Sequence, residues 1–438
     1  MANRGTDANQ RRRMAWQRWT SYSLLILVYM LGYFHRMAPA VLSGELQADF
    51  HASGAALGIL AASYFYAYAA MQIPAGILAD FWGTRRIVAL GCLTAGIGTL
   101  CFGGANTLWA AALGRFLLGM GVSVVFVAIL KLTSQWFYDR QFATMTGLTI
   151  FLGNIGGLTA ATPLAWALEV SSWRSIVIFL GVVSLLASAI ISYVVKDSPA
   201  DAGFPSMRAL EGKSDHLTAP ATWQGALMTV LKNRATWPGF FASMGLGGTF
   251  FTLAGLWAVP YLRDVQQFDY AMTSNHAALL LIGFAIGSIL VGMLSDYLGR
   301  RRPVMIAFIL AFAVCWLPVQ FAFTLPLWAS LTNYFLLGLF ATGYTISLTA
   351  TKELNAPALS GMATGVINTG TFLGAAILQP LIGIIMDMTC DGATGKSGAP
   401  IYSVTNYQSA FATMSIFVLL SLVAAMLIRE TYCRPSQA

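Results

Sequence analysis

Arg36 is the residue of this sequence best placed to do chemistry. It stands about seventeen residues into an apolar run, Trp19 to Leu42, with no acidic residue within two turns of it on the same helix. A guanidinium keeps its charge and presents a planar fork of N–H donors. In such a place it either binds a carboxylate or phosphate through that fork or is occupied by backbone carbonyls or a distant carboxylate. At about 100° per residue, Tyr29, Gly32, Tyr33 and Ala40 share its helical face and make a usable cavity wall. His35, next in line, points about 100° away. It can carry a proton near neutral pH or serve as an ordinary hydrogen-bonding group.

Other polar residues recur inside or at the ends of apolar runs. Arg115 opens the stretch Arg115-Phe-Leu-Leu-Gly119-Met-Gly121. An unpaired charge there costs at least about 2.5–3.5 kcal/mol, so it is either a hydrogen-bonded structural group or a participant in coupling. Lys131 can extend an anion path or snorkel to lipid headgroups. Lys352 and Glu353 form a gate or solvated pair, or take part in solute handling. Glu45 and Asp49 stand at the outer end of the first run, Glu169 ends the fifth and Asp387 the eleventh. With no carboxylate central to any span of the first half, the coupling candidates are His35, Arg115, Glu45 and Glu353. Polar-aromatic stripes follow helical spacing: Tyr64, Tyr68 and Gln72; Tyr344, Ser347 and Thr351; Thr364, Asn368 and Thr371. Singly such groups glue helices together. Collectively, with Asn154, they favour a polar, wet cavity. No nucleophile–base pair or metal-ligand cluster is legible, so neither an enzyme nor a cofactor is expected. The five cysteines show no paired spacing; Cys92, Cys101 and Cys315 read as small hydrophobes in apolar runs.

The elements that must position these residues are membrane spans. Of 438 residues 57% are hydrophobic and only 10% charged, against about 25% in a soluble domain. Runs long enough to cross a hydrocarbon core of about 30 Å recur along the chain. They fall at 19–44, 54–79, 87–105, 108–133, 142–168, 174–195, 236–262, 274–295, 303–323, 327–351, 361–387 and 407–429. The first is too long for a secretory signal and contains Arg36. Arg174, Arg263 and Lys396 lie on one side of these spans, and 20 of the 25 Lys and Arg lie on or near the other. That asymmetry places both termini in the cytoplasm and the chain in the cytoplasmic membrane. The net charge of +8 therefore faces anionic lipid heads and is no nucleic-acid footprint.

Half of the chain repeats the other half. Gly76-Ile-Leu-Ala-Asp80-Phe-Trp-Gly83-Thr-Arg85-Arg86 superposes on Gly292-Met-Leu-Ser-Asp296-Tyr-Leu-Gly299-Arg300-Arg301-Arg302 at an offset of 216, and Gly147–Gly157 echoes Gly365–Ala375 at 218. Duplicated halves enclosing a site near the bilayer midplane are typical of secondary transporters. The expected division is a tail at 1–18, six-helix bundles at 19–195 and 236–429, a linker at 196–235 with a short amphipathic segment at Trp223 to Leu231, and a tail at 430–438.

The pattern Gly76-x3-Asp80-x2-Gly83-x-Arg85-Arg86, with its second-half copy, resembles the signature loop of the major facilitator superfamily. The resemblance implies an all-α fold of 12 helices in two bundles. It makes the two loops cytoplasmic latches that work as the halves rock, with Asp80 facing a helix amino terminus or an arginine. Arg115-x3-Gly119-x-Gly121 is similar to the family's arginine-glycine motif. Tyr33-Phe-His35-Arg36, Gly153-Asn154-Ile-Gly156-Gly157 and Lys196-Asp197-Ser-Pro199 together resemble the organophosphate:phosphate antiporters and the anion:cation symporters. The antiporters' second substrate arginine has no counterpart between Trp237 and Leu262, which argues against a two-arginine phosphate clamp. The expectation is a monomeric secondary transporter of a small organic anion, driven by protons or sodium. Two alternatives stand beside it. One is an exporter of amphiphilic drugs, which usually shows a Gly-Pro pair in the fifth span, whereas Pro163 here follows Thr162. The other is a membrane sensor that binds a solute without carrying it.

Overall fold

The computed structural model describes residues 2–138, 141–205, 207, 223–356, 359–390 and 400–433; the side chains of 2–8, 11, 80, 143 and 360 lie outside the described set. Among these residues 12 helices are long and apolar enough to span a bilayer. They are α1 (Arg12–Phe50), α2 (Gly54–Ala79), α3 (Phe81–Gly103), α4 (Leu108–Trp136), α5 (Thr144–Val170), α6 (Trp173–Val194), α7 (Thr236–Asp264), α8 (Tyr270–Leu298), α9 (Arg302–Gln320), α10 (Leu327–Glu353), α11 (Gly361–Thr389) and α12 (Val404–Leu427). An even number of spans returns both chain ends to one face, here called the terminal face; the opposite one is the far face. Arginine, glutamine and alanine favour helix, and the first helix runs back to Ala2 through the stretch expected to be a tail. The amphipathic stretch of the linker is a helix, Trp223–Lys232, whose Val230 packs with Ala363 and Val366 of α11.

Irregularities along the helices have local causes. Helical backbone continues from α2 into α3 except at Gly83, where φ is 80°. A glycine is required there twice over: the left-handed φ strains any Cβ, and the Asp197 carboxylate lies 2.5 Å from where that Cβ would be. α5 breaks at Ala160–Ala161, where Pro163 cannot donate to the preceding turn. α7 contains two π-helical stretches, Ser243–Gly247 and Leu253–Trp257, on either side of Phe250 and Phe251. Such wide turns rotate the intervening side chains away from regular α positions.

Within each half, glycines bring backbones into contact. A Cβ on Gly156 of α5 would lie 2.3 Å from the Met30 carbonyl oxygen of α1, and one on Gly119 of α4 would lie 2.3 Å from that of Tyr64 in α2. In lipid no hydrophobic force drives helices together, so close van der Waals approach between small residues must do it. The two halves meet along α1–α7, α2–α11 and α5–α8. Large apolar side chains such as Phe179 and Leu186 of α6 point outward, where acyl chains would lie. Cys101 is exposed as well, and is not packed inside as its apolar setting suggested.

Replacing Gly156 by valine is expected to push α5 off α1, at about the 1–3 kcal/mol typical of overpacking. The measurement is the thermal unfolding midpoint of the purified protein in detergent, which should fall, against an unchanged midpoint for Gly147→Ala, where a Cβ meets nothing within 4 Å.

Candidate functional site

Arg36 lies at the seam between the halves, 2% exposed. Its guanidinium carbon is 4.5 Å from the ring centre of Tyr33, 4.8 Å from Tyr68, 4.9 Å from Phe372, 5.3 Å from Phe251 and 6.0 Å from Tyr64. Three of these rings come from α1 and α2; Phe251 of α7 and Phe372 of α11 come from the other half. Among the described residues no carboxylate forms an ion pair with Arg36. Its Nε and the hydroxyl of Tyr64 are buried without a hydrogen-bond partner. Each ring over a cation contributes about 0.5–2 kcal/mol, according to how dry the site is. The site is a caged, unneutralised cation.

The rings also join the halves. Tyr68 and Phe372 have centroids 4.2 Å apart, and Phe251 and Phe372 5.5 Å apart. Toward the terminal face, Asn368 Nδ2 of α11 donates to Gln72 Oε1 of α2 at 2.7 Å. Ser243 of α7 and Thr371 of α11 share a hydrogen bond of 2.5 Å. Where the stripes suggested a wet cavity, Tyr64, Tyr68, Gln72 and Tyr344 are buried in this conformation, while Thr364 and Asn368 are half-buried.

Of the residues singled out in the sequence, Tyr33, Tyr64 and Tyr68 come to Arg36. Tyr29 is one ring removed, edge-on to Tyr33 at 5.1 Å. Tyr344 packs on Phe251 and Phe284. The Asn154 amide donates back to Ile150 O at 3.0 Å within α5. His35 points away from Arg36 as expected, is buried, and its Nε2 has no partner. Arg115 Nη1 donates to the His35 carbonyl at 2.8 Å, while its guanidinium lies 5.2 Å from the Tyr64 ring centre. It stitches α4 to α1 and takes backbone partners in place of a carboxylate.

Lys131 is not brought to Arg36: its Nζ donates to Ala79 O at 2.6 Å, at the terminal-face end of α2. Glu45 lies at the far face beside Arg263 and Tyr270, remote from the caged cation. Glu353 pairs with the second signature loop, its Oε1 lying 2.8 Å from Arg301 Nη2, while Asp296 holds Nη1 at 2.6 Å. Burial opposes the charge of Arg301, and Glu353 with Asp296 outweighs it, holding the guanidinium pKa above its usual value. In the first loop the Arg85 N–H donates to Asp197 at 2.6 Å, just beyond α6, beside Gly83. Gly299 ends α8 with φ 62°, and Arg300 lies over the ring of Tyr432. Gly76 and Gly292 each face open space, and Arg86 lines the same surface recess as Arg85. Among the described residues, the contacts of each loop fall inside its own half. The expected partner of Asp80 lies outside the described residues.

Phe251 and Phe372 were not foreseen. Nothing in their sequence context separates a ring facing the seam from one facing lipid, and the π-helical turns around Phe251 leave no pattern to read.

Two helical bundles closed around a buried, unneutralised cation are the architecture of a membrane transporter. The sequence pattern of the Major Facilitator Superfamily matches residues 24–280 and 257–437, and the chain belongs to that family. A probable sulfoacetate transporter, SauU, of Cupriavidus necator is 25% identical over 285 residues, 64% of this chain and 65% of that relative's length. A probable hexose phosphate transport protein of Chlamydia trachomatis is 24% identical over 389 residues, covering 82% of this chain and 83% of that one. The fold matches that of a bacterial homologue of the human lysosomal transporter Spinster, with a TM-score of 0.73 at 17% identity over 96% of this chain and 99% of the other. The family and these relatives are transporters and not enzymes.

Arg301 is 8% exposed, and removing a partner from a buried pair costs about 3–5 kcal/mol. Glu353→Ala is therefore expected to destabilise the protein by roughly 3 kcal/mol. Asp296→Ala should cost clearly less, because the Asp296 side chain is 69% exposed. Denaturant unfolding of the two variants in parallel checks the order.

Proposed function

We propose that this protein is a secondary transporter of a small organic anion, moved across the cytoplasmic membrane by alternating access around Arg36, with both termini cytoplasmic. The observation that carries the reading is the buried guanidinium of Arg36, without a carboxylate partner and with an unpaired Nε beside the unpaired Tyr64 hydroxyl. A carboxylate or sulfonate has the planar or trigonal oxygens that such a fork binds. Relatives named for sulfoacetate and hexose phosphate handle anions, which agrees with a cationic site. A single guanidinium favours one anionic group over a phosphate dianion that calls for two.

Because the rings come from both halves, opening either face pulls part of the cage away and exposes the cation to solvent. Solute then replaces the rings as the partner of Arg36, and the halves close over it. Binding thus acts on the same contacts that hold the halves together, as alternating access requires.

The test begins with a thermal-shift panel of sulfonates, carboxylates and sugar phosphates, followed by uptake of the best ligand into proteoliposomes under imposed proton and sodium gradients. Arg36→Ala should abolish uptake, and Arg36→Lys, which keeps the charge but loses the fork, should lower it at least tenfold. Both variants should elute as folded monodisperse protein. Unchanged uptake by a folded Arg36→Ala protein refutes the reading.

A further inference from the structure

The far-face end of α2 starts a helix that its own segment caps only in part. The Ser53 hydroxyl accepts the Ala56 N–H at 3.3 Å. The two N–H groups before it are taken by the other half of the protein: Gly54 N donates to Asp387 Oδ1 and Ala55 N to Asp387 Oδ2, each at 2.9 Å. Asp387 belongs to the last turn of α11. Tyr402, just before α12, completes the arrangement by donating to the same carboxylate and accepting from Gly54 N at 2.6 Å. A carboxylate at a helix amino terminus is held both by these hydrogen bonds and by the positive end of the helix dipole.

The fit leaves no room for larger residues. A Cβ on Gly383 of α11 would lie 2.0 Å from the Gly54 carbonyl oxygen, and a Cβ on Gly58, one turn deeper in α2, would lie 2.5 Å from that of Gln379. The two helices therefore touch backbone to backbone over the first turn of α2, from Gly54 to Gly58, and Asp387 ties off the end.

We infer that Asp387, with Tyr402, is the latch that holds the far face shut, and that its exchange of the α2 amino terminus for water is the step that opens that face. Access from the far side requires α2 and α11 to part, which frees the Gly54 and Ala55 N–H groups and leaves the carboxylate to solvent. A contact made in one access state and absent from the other sets the balance between them by its own strength. The device is independent of which solute Arg36 takes, and its test needs none.

The experiment uses the full-length protein in nanodiscs, with the native cysteines replaced and spin labels at Asn106 and Thr324, both exposed in far-face loops. A second pair at Gln135 and Lys352 reports the terminal face. Pulsed-dipolar distances should show one predominantly short far-face population in the parent. Asp387→Ala should move the short-to-long ratio roughly tenfold, the scale for losing charge-assisted hydrogen bonds. Asp387→Asn and Tyr402→Phe, which keep size and packing, should move it the same way by less. Gly383→Val, which leaves the carboxylate in place, should open the far face by steric means and show that the labels report opening. Unchanged far-face distances in folded Asp387→Ala overturn the latch, as does opening in Gly383→Val alone. If Asp387→Ala does not fold, unchanged distances in both Asp387→Asn and Tyr402→Phe overturn it. A protein whose distances respond but whose Arg36→Ala variant still transports keeps the latch and loses the anion reading, so the two fail separately.

Discussion

A guanidinium cannot discard its charge when it is buried, so Arg36 burdens every element around it. The ordinary solution, a carboxylate partner, is not found among the described residues. Five aromatic rings surround the cation, and their quadrupoles offset part of the desolvation cost. The residual demand, an unpaired Nε in a dry site, is what an anion would meet. Because two of the rings belong to the second half, the charge of α1 also depends on where α7 and α11 stand. On the proposed reading, helix packing and solute recognition draw on the same set of contacts.

Contacts inside a half differ in kind from those at the middle of the seam. Inside, glycines such as Gly119 and Gly156 set one backbone against another, and Arg115 and Arg301 are held by partners of their own half. Between halves, the middle of the seam is made of rings and a few amide or hydroxyl pairs, Gln72 with Asn368 among them. Rings and side-chain pairs can part and be wetted at modest cost, and the far-face end of the seam adds the backbone contact of Gly54 with Gly383. On the proposed reading that distinction leaves a separable seam between two bundles, as rocking about a central site requires.

The charge-bearing residues were legible to different degrees. Arg36 was legible as a lone cation inside an apolar run, since a guanidinium far from any acid on its helix is visible in one dimension. Tyr33, Tyr64 and Tyr68 followed from helical periodicity, because residues three or four apart share a face. Lys131 and Glu353 were ambiguous for a physical reason: long side chains near a helix end reach either inward or to the interface, and spacing does not say which. The structure gives one the carbonyl of Ala79 and the other the guanidinium of Arg301. The polar stripes suggested a wet cavity, yet their tyrosines are buried, Tyr68 against a ring from the other half.

Span number, the duplicated half and the position of the central cation are properties of a one-dimensional pattern. Apolar run length is measured directly against bilayer thickness, and a repeat is self-evident once two loops align. Pairings across the seam have no such signature. Phe251 and Phe372 meet Arg36, and Asp387 meets the amino terminus of α2, across 333 residues of sequence in the last case. Those meetings depend on how two bundles dock and on π-helical turns that reorient Phe251. Docking is a sum of many weak contacts between distant segments, so no local stretch of residues carries it.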